Sequence, residues 1–420
     1  MKKLFILIMA IAIMMGSCNQ QGNNLSITKP EKVGLSTERL NRIKPLMQSY
    51  VDKNKLSGLI TLVARQGKIV QFEKYGLMGI DKPMQINTIF QIASMTKPIT
   101  SVAAMMLYEE GYFQLDDPVA KYIPEFKELK VFSYKDKDGI HVVDQIKPMT
   151  IENLLTHTSG LSYPYGNTPV DSMYEVADLF GGNLKDMIQK LGKIPLLYQP
   201  GTTWNYGFST DVLGYLVEVV SGKPLNVFLK ERMFIPLEME DTYFDIPKDK
   251  LNSVADVYGL TNNNSLEITS RSDTIDGVVR PVKLYSGGGG LFSTAFDYMK
   301  FSQMLLNKGE YNGIRLLGSR TVDFMTANHI TNETMPSDKF FGSLLSGYGF
   351  GLGFAVKQDN LQSHILGSKG EYTWLGAYST YFSIDPQEKL VLILMTQFDR
   401  NLYYSINKEF KVSVYQAIVE

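Results

Sequence analysis

Three places in this chain put a serine three residues before a lysine: Ser26/Lys29, Ser94/Lys97 and Ser405/Lys408. On a helix that spacing sets both side chains on one face, so hydroxyl and amine can meet. A serine so paired is a candidate nucleophile for acyl transfer, provided something takes its proton. An unperturbed lysine, with a pKa of about 10.4, is charged at neutral pH and cannot. Desolvation, a neighbouring cation or a third proton-sharing group must intervene. Context separates the three copies. Ser26/Lys29 lies in a polar stretch, and no turn signal precedes Ser405. After Ser94, the residues Ile99, Val102, Ala103, Met106 and Leu107 recur with the period of an amphipathic helix. Ser94 then stands among the free N–H groups of the first turn, where the dipole favours developing negative charge.

A phenol suits the third role, because it can pass a proton between serine, lysine and leaving group. With 24 tyrosines in the chain, abundance selects none. Tyr206 stands out by position, between the turn-rich Gln199 to Asn205 and a helix beginning near Ser209. A structural tyrosine near a helix start fits that position equally well. No Gly-x-Ser-x-Gly elbow occurs. The four histidines, His141, His157, His329 and His364, are scattered with no metal-ligand spacing. No metal and no cofactor is expected. His157, at the end of a short helix, reads as a structural residue satisfying free carbonyls.

The elements that must position these residues follow in order. Ser36 to Lys53 reads as a helix that Pro45 kinks or breaks. Leu59 to Ala64 and Ile69 to Tyr75 form a hairpin across Gln66-Gly67. Leu115 to Pro118 is a turn, and Lys135 to Gly139 a charged loop. Thr150 to Gly160 is a short helix capped by Thr150, and Ser209 to Gly222 another capped by Ser209 or Thr210. The glycines of Ser286 to Gly290 imply that backbone passes close to something there. Ala377 to Ile384 and Leu390 to Thr396 are strands, and the last twenty residues a helix. Strands at both ends with helices between suggest one antiparallel sheet made by the chain ends, with a helical region inserted.

The 420 residues suffice for one large core or two smaller ones, and a net charge of −1 offers no electrostatic footprint for nucleic acid. Lys2-Lys3 and the apolar stretch Leu4 to Met15 form a signal sequence too short for a comfortable membrane span. Gly16-Ser17-Cys18 follows, and Cys18 is the single cysteine, so no intrachain disulfide is possible. The segment resembles a bacterial lipoprotein signal, which implies lipidation at Cys18; an ordinary secretory signal with an incidental cysteine is the alternative. The expectation is a protein of the bacterial cell envelope facing the periplasm, touching membrane only through that anchor.

Phe90-Gln-Ile-Ala-Ser94-Met-Thr-Lys97-Pro98 resembles the first motif of the class C β-lactamases and penicillin-recognising serine hydrolases. Further segments match in order: Leu115 to Val119, Leu154 to Leu161, Pro200 to Tyr206, Gly288 to Thr294 and Ile384 to Pro386. The resemblance implies an α/β (α+β) fold, an antiparallel sheet flanked by helices beside an inserted, mostly helical domain. The division expected is a signal peptide at 1–17, a tether at 18–34, an α/β domain from 35–95 and 275–420, and a mostly helical domain at 96–274. It also implies Ser94 as nucleophile, Lys97 and Tyr206 as the proton-handling pair, and an acyl-enzyme intermediate.

Two departures bear on substrate. The usual Tyr-x-Asn is here Tyr206-Gly207-Phe208. The usual Lys-Thr-Gly is here Trp374-Leu375-Gly376-Ala377, similar to the Trp-x-Gly of the family VIII carboxylesterases. Trp374 would offer substrate an apolar face and one N–H where a lysine would pair with a carboxylate. Losing such a charge-assisted contact, worth about 1.5–3 kcal/mol, disfavours carboxylate substrates. By the same resemblance the oxyanion hole is the N–H groups of Ser94 and Ala377, with Gly376 small so that substrate can approach. The leading expectation is a carboxylesterase acting on small esters. A β-lactamase or D-Ala-D-Ala carboxypeptidase acting on cell-wall material is the alternative, and a silent binding protein a third.

Overall fold

The computed structural model describes residues 25–334 and 346–420. The signal segment and Cys18 lie outside the described residues. Among those described, a nine-stranded sheet runs in the order Ser26–Ile27, Lys68–Gly79, Gly58–Arg65, Leu390–Thr396, Tyr381–Asp385, Tyr372–Leu375, Ala355–Lys357, Tyr348–Phe350, with Lys82–Pro83 paired to Lys68–Gly79. All pairs are antiparallel except Ser26–Ile27, which lies parallel to Lys68–Gly79. One sheet is therefore built from the two chain ends.

Its central strands are buried on both faces. Alternation divides them between two cores. Leu59, Val63, Leu392 and Leu394 pack with Ile43, Met47, Phe410 and Val414 of the terminal helices. Ile60, Leu62, Val391 and Ile393 face the larger core with Met299 and the helices of the middle segment.

Local chemistry explains several element ends. Gln66 (φ 52°) and Gly67 (φ 73°) close the hairpin with two left-handed residues, the turn that matches strand twist. The first helical stretch breaks between Thr37–Leu40 and Ile43–Asp52. Pro45 lacks the N–H that would have reached the Asn41 carbonyl, so the break falls one turn before it. Thr150 caps Ile151–Leu155 in a reciprocal box with Asn153.

Four expectations are corrected. Residues 25–34, assigned to the tether, join the fold through Ser26–Ile27 and the 3-10 turn Pro30–Val33, where Val33 is buried. Lys135 to Gly139 is the tip of an exposed hairpin, Val131–Asp136 with Gly139–Val143. The Thr150 helix stops at Leu155, since His157 turns left-handed (φ 56°). Neither Ser209 nor Thr210 caps Ser209–Ser221; Phe208 stands at that N-cap, and Ser209 bonds Ser159.

Thr96–Glu109 is buried on all sides from Thr96 to Leu107, where its apolar period suggested one stripe. A helix buried all round must lie inside the core. It packs against Ser209–Ser221; the two helices carry Lys97 and Asp211, and Ser94 and Tyr206 stand just ahead of them.

Candidate active site

Ser94 lies on a 3-10 turn, Ala93–Met95, just ahead of Thr96–Glu109. Ala93 adopts φ 44°, a left-handed conformation that costs a non-glycine residue about 1–2 kcal/mol. Neighbouring chain holds the turn in that shape. The Ile92 N–H donates to the Leu291 carbonyl (3.0 Å), the Leu291 N–H to Thr96 Oγ1 (3.2 Å), and the Tyr298 hydroxyl to the Met95 carbonyl (2.9 Å).

Lys97 is 2% exposed, whereas Lys29 and Lys408 of the other two serine–lysine copies are exposed. Its Nζ reaches Ser94 Oγ at 3.2 Å, Tyr163 OH at 3.3 Å and the Gly288 carbonyl at 2.6 Å. It also stands 4.6 Å from the centre of the Tyr206 ring. Three oxygens satisfy the three N–H bonds of an ammonium. The same geometry serves a neutral amine, whose lone pair would accept from the Ser94 hydroxyl.

Tyr206 is set by its neighbours. The Asn205 N–H donates to the His157 carbonyl (2.8 Å), and Asn205 Nδ2 to the Leu161 carbonyl (2.9 Å). Trp374 is 2% exposed, and its Nε1 donates to Tyr206 OH at 3.4 Å. The indole expected to face substrate instead backs the phenol.

Ala377 follows the strand Tyr372–Leu375, and Gly376 presses that strand against the Ser94 turn. A Cβ on Gly376 would overlap the Ile92 carbonyl oxygen and the Thr380 hydroxyl. The glycine thus admits the protein's own turn, where approach of substrate was the expected reason. Neither the Ser94 nor the Ala377 N–H donates to a backbone carbonyl among the described residues.

Three participants were missed in the sequence. Tyr163 shares Lys97, its ring packing edge-on against Phe208 at 4.5 Å and against Tyr206 at 5.4 Å. Burial holds its phenol well above the usual tyrosine range, with Asp211 and Tyr206 adding to it. Asp211, 1% exposed, accepts from Ser286 Oγ (2.5 Å) and the Gly288 N–H (3.1 Å). Burial raises its pKa, and the charge of Lys97 opposes that rise. In sequence it reads as an ordinary acid in a helix's first turn.

The third is the Gly288 backbone. A Cβ at Gly288 would overlap the Asp211 carboxylate, the close approach the glycine run implied, and its carbonyl touches Lys97 directly. Among the described residues, the His157 ring caps no carbonyl. It packs 5.0 Å from Tyr206, 5.9 Å from Trp204 and 5.6 Å from Phe350, and its Nδ1 has no hydrogen-bond partner among the described residues. Burial first, and then Lys97, hold it well below the usual histidine pKa.

A serine and a buried lysine under a phenol, between an antiparallel sheet and a helical region, define a fold built for acyl transfer. The chain belongs to the Beta-lactamase family, whose model matches residues 43–412. It is 35% identical over 362 residues to protein Rv1367c of Mycobacterium tuberculosis, covering 84% of this chain and 88% of that one. It is 29% identical over 397 residues to the N-acetylmuramyl-L-alanine amidase of Bacillus subtilis, covering 88% and 83%. Among solved structures it resembles EstCE1, a hydrolase with promiscuous acyltransferase activity, at TM-score 0.73 and 24% identity over 91% of this chain and 99% of that one. Simvastatin synthase (LovD) from Aspergillus terreus gives TM-score 0.79 at 23% identity over 90% and 98%. These structures share the fold, and the chain is an enzyme of the serine hydrolase type that the family comprises.

Proposed function

We propose that this protein is a carboxylesterase that forms an acyl-enzyme through Ser94. The observation that carries the reading is the 3.2 Å approach of Ser94 Oγ to the buried Nζ of Lys97. In this scheme Ser94 Oγ bonds to the ester carbonyl carbon while its proton passes to the Lys97 amine. The oxyanion is held by the N–H groups of Ser94 and Ala377; one such donor typically contributes about two to three orders of magnitude in rate. Tyr206 delivers the proton to the departing alcohol. Water then attacks the acyl carbon, its proton returns through the same pair, and the acid leaves.

The ester is favoured over a lactam or peptide because position 374 carries no cation. The indole there is spent on Tyr206, so a substrate carboxylate would find no lysine at that place. Ser94→Ala should abolish turnover of a p-nitrophenyl ester and labelling by a fluorophosphonate, with the melting temperature nearly unchanged. Wild-type turnover in that variant would refute the assignment.

A second reading, a β-lactamase or D-Ala-D-Ala carboxypeptidase, draws on the name of a Salmonella enteritidis relative, a putative D-alanyl-D-alanine carboxypeptidase 26% identical over 400 residues. Faster hydrolysis of a chromogenic cephalosporin than of simple esters would favour it. The basic and apolar N-terminus ending at Cys18 supports a lipid-anchored envelope protein. Cys18→Ser should then move the full chain from the membrane to the soluble fraction.

A further inference from the structure

We propose that the exposed rings of Tyr165 and Phe180 form a subsite beside the catalytic cluster that receives an apolar group carried by the ester. This deepens the esterase reading and rests on it. The rings make an unbroken path from Lys97 to solvent. Tyr163, whose hydroxyl meets Lys97, has its ring 5.2 Å from Tyr165 and 4.5 Å from Phe208. Phe208, 1% exposed, lies 5.8 Å from Phe180. The outer two rings are open, Tyr165 at 76% and Phe180 at 65% exposure.

Two large aromatics left that open on one short segment are a recognition feature more than a packing one. They are also held in place. The Tyr165 N–H donates to the Tyr163 carbonyl (2.8 Å), and Ser162 Oγ bonds Asp171 (3.2 Å), which caps the helix Pro169–Val176 with Thr168. Beyond Phe180, Lys190 Nζ donates to the Gly181 carbonyl (2.9 Å). These bonds hold the backbone that carries the two rings, so little main-chain freedom is lost when a ligand covers them.

Tyr163, the ring next to Tyr165, also lies 5.4 Å from the Tyr206 ring, so the open face begins one ring away from the proposed proton carrier.

Two ester series read the subsite: p-nitrophenyl esters from acetate to octanoate with benzoate, and acetate esters of progressively larger alcohols. In the series whose group enters the subsite, kcat/KM should rise by up to about fourfold per methylene buried. Tyr165→Ala with Phe180→Ala should cut the ratio of bulky to small substrate roughly tenfold or more. Tyr165→Phe should restore most of it, since the ring is what is used. A rise in the acyl arm assigns the subsite to the acyl group, and a rise in the alcohol arm to the alcohol. Flat series in both arms, or a ratio unmoved by the double substitution, overturns the proposal. Fluorophosphonate labelling of Ser94 and turnover of p-nitrophenyl acetate keep the esterase reading alive in that event. Absence of both removes the two together.

Discussion

The indole N–H of Trp374 donates to the hydroxyl of Tyr206 across 3.4 Å, from a ring that is 2% exposed. One partner is on the sheet and the other just ahead of a helix, so the bond ties the two halves of the cluster together. It also fixes the direction of the phenol that lies over Lys97.

Trp374→Phe keeps the apolar contact and removes that donor. A neutral hydrogen bond contributes about 0.5–1.5 kcal/mol, so kcat should fall roughly 2- to 12-fold. KM should barely move, because the indole stands behind the phenol. Steady-state kinetics on one ester separate the two parameters, and a raised KM with intact kcat would mean that Trp374 touches substrate.

Tyr163→Phe leaves the ring against Phe208 and takes one oxygen from Lys97. At about 1.5–3 kcal/mol for a hydrogen bond to a charged group, kcat/KM should drop roughly 10- to 150-fold. Tyr206→Phe should cost more, about two to four orders of magnitude, if Tyr206 is the proposed proton carrier. Comparable losses in the two variants would leave the roles of the two phenols unassigned to Tyr206.

Gly376→Ala forces a methyl into the Ile92 carbonyl and the Thr380 hydroxyl. Overpacking of this kind costs about 1–3 kcal/mol, and the strand must move away from the Ser94 turn. Activity should fall by about two to three orders of magnitude if Ala377 supplies an oxyanion donor. Urea melts and ester kinetics on the same preparation test both parts.

His157 gives the stability a pH dependence of definite sign. Its native pKa is held well below 6.5 by burial and Lys97. Below pH 6.5 the unfolded chain therefore binds a proton that the native chain refuses, and stability falls as the medium is acidified. The slope approaches about 1.4 kcal/mol per pH unit. His329, raised by Glu152 and the Phe324 carbonyl against the pull of burial, acts in the opposite sense. Its contribution is complete below pH 6.5 and is lost above. Denaturant melts at pH 6.5 and 5.5 should show the slope in the wild type and its loss in His157→Phe.

Much of the frame was legible because it rests on local rules. Gln66-Gly67 announces its hairpin, Pro45 its helix break, and the run Leu390 to Thr396 its buried strand. The serine–lysine spacing marked Ser94 and Lys97 by the helix that follows them. Residues 25–34 misled because a short polar strand and a 3-10 turn carry no periodic signal, and their pairing partner Lys68–Gly79 is some forty residues away.

The chain's own order of residues determined which hydroxyl and amine share a helical face, and that both chain ends contribute strands to one sheet. Only the tertiary structure decided what surrounds the amine. Tyr163, Asp211 and the Gly288 carbonyl lie 66 to 191 positions beyond Lys97 or nearby in that range, and no spacing rule reaches so far. The packing of Thr96–Glu109 against Ser209–Ser221 brings Asp211 near the amine, and the segments carrying Tyr163 and Gly288 reach it from outside both helices, so burial, and not sequence separation, chooses the neighbours.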